Sequence, residues 1–296
     1  GQAVMEGVMM RNADKYAVAV RKTDGEIVVK TEEYKGIVQN KKIRSLPIIR
    51  GVFSFIDSMV LGMSTLTYSA SFFMDEEEEE KDEKKESVMM GLTIACSVVM
   101  AVAIFMILPY FLSQLFRKFT DSTTLITLLE GAVRLVIFFG YILLISRMKD
   151  IQRVFMYHGA EHKCINCIEH GMELNVENVL KSSRLHKRCG TSFLFIVMIV
   201  SIIFFLFIRI ESPIWRVVFR LLLIPVIAGV SFEFIRLAGK SENKLVILLS
   251  KPGMMLQKLT TREPDASMAE VAIASVEAVF DWRAYLKENF GWQEKV

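Results

Sequence analysis

"TSFLFIVMIVSIIFFLFIRI", residues 191–210, runs from Thr191 to Ile208 without a charge and meets its first one at Arg209. A helix rises 1.5 Å per residue, so about 20 apolar residues cover the ~30 Å hydrocarbon core of a bilayer. This stretch is long enough. Working outward from it, residues 88–116, 124–146 and 214–236 have the same length and apolarity. A helix satisfies its own backbone hydrogen bonds, which is what a segment surrounded by lipid must do. The whole chain agrees: 52% of its 296 residues are hydrophobic and its mean hydropathy is +0.37. The expected fold class is mainly α, a polytopic helical membrane protein with about four transmembrane helices, an N-terminal β-hairpin and cytoplasmic helices.

The segments around these spans divide the chain further. Within an N-terminal β-rich segment, 1–45, the stretch "AVAVRKTDGEIVVKTEEY" (17–34) alternates β-branched and polar residues around Asp24-Gly25, a pair suited to a hairpin turn. Residues 46–74 are apolar with helical spacing, but Arg50, Asp57 and many Ser and Thr positions favour an interfacial or bundle-packed helix over a lipid-exposed span. Residues 75–87, opening "DEEEEEKDEKKE", read as a solvated acidic linker. Two spans then fill 88–146, a polar loop 147–190, two more spans 191–240, and a helical tail 241–296.

Positive residues near span ends stay on the cytoplasmic side. The loop after the second span holds Arg147, Lys149, Arg153, Lys163, Lys181, Arg184, Lys187 and Arg188. The expected location is therefore the cell membrane, with both termini and this loop in the cytoplasm. No secretory signal opens the stretch. A net charge of +3 without a basic stripe argues against nucleic acid as a partner, and no glycine-rich phosphate loop precedes a helix. The lipid bilayer and a cytoplasmic or membrane substrate remain as expected partners.

All four histidines and three of the four cysteines lie between His158 and Cys189. In "YHGAEHKCINC" (157–167), residues His158 and His162 share one face of a helix that Gly171 is placed to stop. His158-x-x-Glu161-His162 is the inverted zinc-protease pattern, in which two imidazoles one turn apart hold a metal and the glutamate takes a proton from the attacking water. "RLHKRCGTSF" (184–193) supplies His186 and Cys189 as remote ligands. The expected cofactor is Zn²⁺. A structural alternative uses Cys164-x-x-Cys167 with His186-x-x-Cys189 as a closed zinc knuckle. Glu130 and Arg134, four apart inside the second span, suit an ion pair. Glu233, near the cytoplasmic end of the fourth span, is open to three readings: ligand, acceptor orienting an imidazole, or partner of Arg236 or Arg220.

Four stretches, "GQAVMEGVMMR" (1–11), "YHGAEHK" (157–163), "RLHKRCGTSF" (184–193) and "LTTREPDASMAEVAIA" (259–274), resemble the YqhQ-like family of bacterial integral membrane proteins, which are regarded as metal-dependent enzymes. The resemblance spans essentially the whole chain. It implies motif roles for His158, Glu161, His162, His186 and Cys189, but not for Cys164 and Cys167. It also draws attention to Glu6, Glu263 and Asp265 as possible contributors to the site, although Asp265 equally suits a helix cap. The expected function is an integral membrane metal-dependent hydrolase, peptidase-like by motif analogy, with Glu161 as its base. The rival expectation is a noncatalytic scaffold whose zinc-stapled basic loop docks an anionic cytoplasmic partner. A transporter is weaker, since the ligands lie in a loop and not at mid-membrane.

Overall fold

The computed structural model describes residues 1–73, 83–208, 210, 212–241 and 243–293. In chain order the strands are β1 (Gln2–Val4), β2 (Gly7–Asn12), β3 (Lys15–Arg21) and β4 (Ile27–Glu33). The helices are α1 (Lys41–Ser45), α2 (Ile49–Ser71), α3 (Glu83–Val102), α4 (Leu108–Gln114), α5 (Thr123–Ile145), α6 (Lys149–Glu169), α7 (Val176–Lys181), α8 (Gly190–Phe207), α9 (Pro213–Lys240), α10 (Lys244–Thr260), α11 (Ala266–Glu277) and α12 (Trp282–Phe290). The chain is mainly helical, as expected. Most of the acidic stretch read as a linker lies outside the described residues, and its last part already belongs to α3.

The expected hairpin is β3–β4, with Val20 opposite Val28 and Arg21 opposite Ile27. Its turn uses Gly25 at φ +90°, and the Asp24 carboxylate accepts the Glu26 N–H at 2.9 Å. That hairpin is only half of the β structure. β1 and β2 extend it to a four-stranded antiparallel sheet in the order β1-β2-β3-β4. The added turns place Glu6 and Ala13 at positive φ, 49° and 52°. Neither is a residue type that announces a left-handed turn, so the left-handed positions themselves are unmarked in the sequence, although Gly7 and the Asn12–Asp14 pair stand beside them.

Both faces of the sheet are covered, which is why β2 and β3 are apolar at consecutive positions. Val8, Met10 and Ala19 pack toward α6 and α11, while Val4, Met9, Val18 and Val20 pack with Leu61 of α2. α2 turns Asp57, Leu61, Thr65 and Ser69, spaced four apart, into the protein. Asp57 accepts the Tyr34 hydroxyl at 3.1 Å, the Ile37 N–H at 2.9 Å and the Arg44 guanidinium at 3.1 Å. Its other side leaves Met59, Met63 and Leu66 exposed.

Among the described residues, five helical stretches are long and apolar enough to cross a membrane: Ile49–Ser71, Gly91–Lys118, Thr123–Ile145, Gly190–Phe207 and Ile214–Gly239. The count exceeds the expected four by α2, the helix that carries the sheet on one side. Stretch 91–118 is interrupted by a π-helical turn, Ala103–Ile107, just before Pro109. Proline lacks an N–H and crowds the carbonyl four residues back, here Phe105, so the helix widens there.

Among α5, α8 and α9 sits a buried polar cluster. Arg134 donates to Glu130 at 2.9 Å and to Ser201 at 3.0 Å, and Arg220 of α9 donates to the same carboxylate at 2.9 Å. The Phe205 ring lies against both guanidiniums. The expected Glu130–Arg134 pair is thus a triad. Removing its one anion strands two buried cations, so Glu130→Gln is expected to destabilise the chain by about 3–5 kcal/mol. Reversible unfolding in mixed detergent micelles measures this, and a variant as stable as wild type would refute the assignment.

Candidate metal centre

Helix α6 lies against the sheet, α7 and α11, so it is buried nearly all round between Tyr157 and Ile168. Gly171 stops it at φ +74°, the position the sequence indicated. His158 and His162, one turn apart on α6, have ring centroids 4.4 Å apart. Cys189 arrives from the start of α8, where its thiol caps the helix by accepting the Thr191 N–H at 3.4 Å. One ligating atom from each of His158, His162 and Cys189 lies within 4.8 Å of the others. Cys189 Sγ is 3.3 Å from His158 Nε2.

Both imidazoles are held from behind. His158 Nδ1 is 2.9 Å from the Thr260 carbonyl, and His162 Nδ1 is 2.7 Å from the Arg184 carbonyl. A carbonyl only accepts, so each ring must donate from Nδ1, and Nε2 is the nitrogen turned toward Cys189, able to ligate once it carries no proton. Metal-binding histidines are oriented in this way. Thr260 ends α10, where the last carbonyls have no partner within their own helix, so one such carbonyl is available to His158.

The backbone carrying Thr260 approaches α6 closely. The Arg262 N–H donates to the Phe155 carbonyl at 2.8 Å, and a Cβ added at Gly159 would stand 2.0 Å from the Arg262 carbonyl oxygen. Glycine is required there by contact, not by dihedral angle. The Arg184 side is fixed by two polar residues of α6, one of them a lysine that the sequence reading counted only as loop charge. Lys163, buried, donates to the Leu180 and Ser182 carbonyls at 2.8 and 2.7 Å, and Asn166 donates to those of Ser183 and Leu185 at 2.6 and 3.0 Å. Gln257 of α10 adds a third tie, bonded to both backbone groups of His186 and to Ser192. Their signal was faint: a lysine and an asparagine three apart on an otherwise buried helix face.

The remaining sequence candidates fall in different places. Glu161 is buried and lines the same chamber as His158, His162 and Cys189. Among the described residues its Oε2 has no hydrogen-bond partner, while Oε1 is 3.5 Å from the Gly1 nitrogen. His186 also borders the chamber, its ring 5.8 Å from that of His162, but its Nε2 is 3.2 Å from Glu169. Glu6 is engaged by Arg153, and the Tyr157 hydroxyl donates to it at 3.3 Å. Glu233 is held mainly by Arg50, with Arg236 at 4.0 Å; Arg220 is spent on Glu130. Glu263 pairs with Lys163 at 2.9 Å and Arg184 at 3.3 Å, and Asp265 caps α11 by accepting the Met268 N–H at 2.9 Å. None of these four carboxylates joins the three-residue cluster. Cys164 and Cys167 pack in the core with Tyr157 and Met268, away from it.

Charge follows from this geometry. Burial opposes ionisation of the Cys189 thiol, but hydrogen bonds and positive charge from His158 and His162 outweigh it and hold the thiol well below its ordinary range. Burial likewise disfavours a charged His158, yet the contact with Cys189, the charge of Glu161 and the Thr260 carbonyl push its imidazole up to about 9. Cys164, wholly buried beside Cys167 and Glu161, is pushed up instead. One thiol is primed to ligate and the other is not.

The family model described as "Protein of unknown function (DUF1385)" matches residues 46–282. The chain belongs to this family. "Uncharacterized protein YqhQ" of Bacillus subtilis (strain 168) is 36% identical over 300 residues, covering 98% of this chain and 94% of that protein. No solved structure matches. The whole His and Cys cluster falls within the part of the chain matched by the DUF1385 model, and the likeness read from four short stretches is a relationship along the full length.

Two outcomes test the centre. Gly159→Ala must push the Arg262 backbone off α6 and draw the Thr260 carbonyl away from His158, so zinc affinity falls about 10–100-fold with helicity unchanged. Equilibrium dialysis with circular dichroism checks both. A zinc ion bound here would have to displace the proton that His158 holds until about pH 9, while the Cys189 thiol, held well below its ordinary range, gives up its own more readily. Raising the pH therefore strengthens binding, by roughly tenfold per unit between about pH 7.5 and 8.5. A flat profile in zinc titrations would contradict this protonation pattern.

Proposed function

We propose that this protein is an integral membrane, metal-dependent hydrolase whose site faces the cytoplasm. The observation that supports it is the pair of imidazoles with Nδ1 tied back to carbonyls and Nε2 turned toward a thiol. Two imidazoles and one thiol suit Zn²⁺ among the common ions, and three protein ligands with a fourth position left open is the pattern of catalytic sites, not of closed structural ones. The buried, unpartnered Glu161 Oε2 fits the same purpose, because an isolated carboxylate oxygen needs a proton donor in its chamber. Zinc at His158, His162 and Cys189 would supply Lewis acidity toward a carbonyl oxygen and activate water near neutral pH.

The chain's own residues do the rest. Glu161 accepts the proton of the attacking water and returns it to the departing amine or alcohol, so one water is consumed and one C–N or C–O bond breaks. The Thr260 and Arg184 carbonyls keep the imidazoles from rotating away. Lys163, Asn166 and Gln257 hold the segment that carries Arg184 and His186. In the membrane, stretch 91–118 with α5, α8 and α9 forms the spans, α2 lies at the interface beneath the sheet, and both termini are cytoplasmic.

The scaffold alternative draws less support, because its basic loop is largely engaged within the chain: Lys163 by two carbonyls, Arg153 by Glu6, Lys181 by Glu177 and Arg188 by Glu169. A second reading has a specific observation behind it. Cys189 at a helix start, 3.3 Å from His158 Nε2, is also the arrangement of a thiol nucleophile and its base. The two readings separate on chelation. The hydrolase proposed here holds one zinc per chain in wild type, Cys164→Ala and Glu161→Gln, and none in His158→Ala, by elemental analysis of detergent-purified protein. Against a panel of amide and ester substrates, chelation abolishes turnover and zinc restores it, while Glu161→Gln lowers it about 10²–10⁴-fold with zinc retained. Activity that survives chelation but not iodoacetamide would transfer the chemistry to Cys189.

A further inference from the structure

The chamber holding the cluster, about 320 Å³, does not end at the cluster. A second cavity of about 570 Å³ adjoins it, and Gln2, Arg188, Cys189 and Gly190 line both. The second cavity has different walls. Met59 and Met63 of α2, Phe193 and Leu194 of α8, and Phe232 and Ile235 of α9 supply apolar walls on three sides, and Arg188 is the charged side chain among its described residues. Arg188 stands at the junction, paired with Glu169. The volume is that of a small-molecule site, with apolar walls leading to a few polar groups at one end.

The occupant follows from what those walls can satisfy. α2 spends its buried residues on the sheet and on α9, so its exposed row, Met59, Met63 and Leu66, is left to cover something apolar or to face water. α8 and α9 are spans in the reading above, which opens the cavity toward hydrocarbon. A peptide drawn between these walls would leave its backbone N–H and C=O groups without partners, a cost of several kcal/mol per group. An acyl chain has no such groups. Its carbonyl, at the polar end, would meet Cys189 and the two histidines.

We infer that this cavity seats the acyl chain of a membrane lipid and presents its carbonyl to the His158, His162 and Cys189 cluster, making a lipid-linked ester or amide the substrate class. The inference rests on the hydrolase reading above. Its chemistry balances: water adds to the acyl carbon, the bond to the alcohol or amine breaks, the hydroxyl stays with the fatty acid, and the proton leaves with the other product.

The test uses the full chain in nanodiscs containing a phosphatidylglycerol that bears a diazirine and a radiolabel in one acyl chain. Photolysis is expected to label peptides covering 54–66 and 190–194 well above those of α3, whose Leu92 and Val99 are freely exposed on the outside of the helix. Met63→Trp, which fills the cavity from an exposed position, should lower that labelling several-fold and retain zinc. Zinc-loaded wild type should release labelled fatty acid from the same lipid, and Glu161→Gln should not. Labelling spread evenly over α3, labelling indifferent to Met63→Trp, or cavity labelling without acyl release from zinc-loaded protein would each overturn the inference. The failures are distinguishable: wild type without zinc retires the hydrolase and the lipid substrate together, whereas zinc with no cavity labelling retires only the lipid.

Discussion

The structure depends on two backbone carbonyls, those of Thr260 and Arg184, each fixing one imidazole of α6 by its Nδ1. A helix alone puts His158 and His162 on one side but leaves their rings free to turn. Only when each ring donates backward does its second nitrogen take a set direction. Neither carbonyl comes from α6. One ends α10 and the other sits in the loop before α8, so the cluster exists only once those segments have docked. Much of the molecule is arranged to that end: Gly159 lets residues 260–262 approach, and Lys163 and Asn166 gather the carbonyls around Arg184.

That dependence explains why the loop is so polar inside. Lys163 is buried, and a lone buried ammonium is costly. Two carbonyls and the carboxylate of Glu263 surround it, so the cost is offset by bonds that also hold the loop. A hydrophobic residue at 163 would fill the space without specifying where Leu180 and Ser182 stop. The buried polar residues act as registry here, a use in which specificity outweighs net stability.

The sequence made some of this legible and concealed the rest for identifiable reasons. Local signals were readable: the alternation around Asp24-Gly25, the histidine pair and the Gly171 stop, the Asp265 cap, and the long apolar runs. Each is decided within a few residues. β1 and β2 were hidden because their turns rest on Glu6 and Ala13 in strained left-handed geometry. The choice of ligand partners was hidden because it is tertiary. His186 and Cys189 are three apart in a loop and equally plausible as ligands by type, yet Cys189 starts α8 and faces the imidazoles, while His186 meets Glu169 at the far end of α6. Glu233 could be paired from sequence only with arginines on its own helix, and its main partner, Arg50, comes 183 residues earlier.

α8 joins these levels. Its first residues cap the helix with the thiol that faces both histidines, and its later ones form the most hydrophobic stretch in the protein, the run 191–208. A single rigid element thereby sets the distance between the polar cluster and the apolar helices, and a chemical group fixed at the start of a helix cannot move independently of it. The sheet performs the matching task on the other side, with one face on α6, which bears the histidines, and the other on α2, which bears the exposed methionines. Cluster and apolar cavity are therefore neighbours by construction: α8 carries Cys189 and Gly190 into the boundary of both, and β1 brings Gln2 to the same boundary from the sheet.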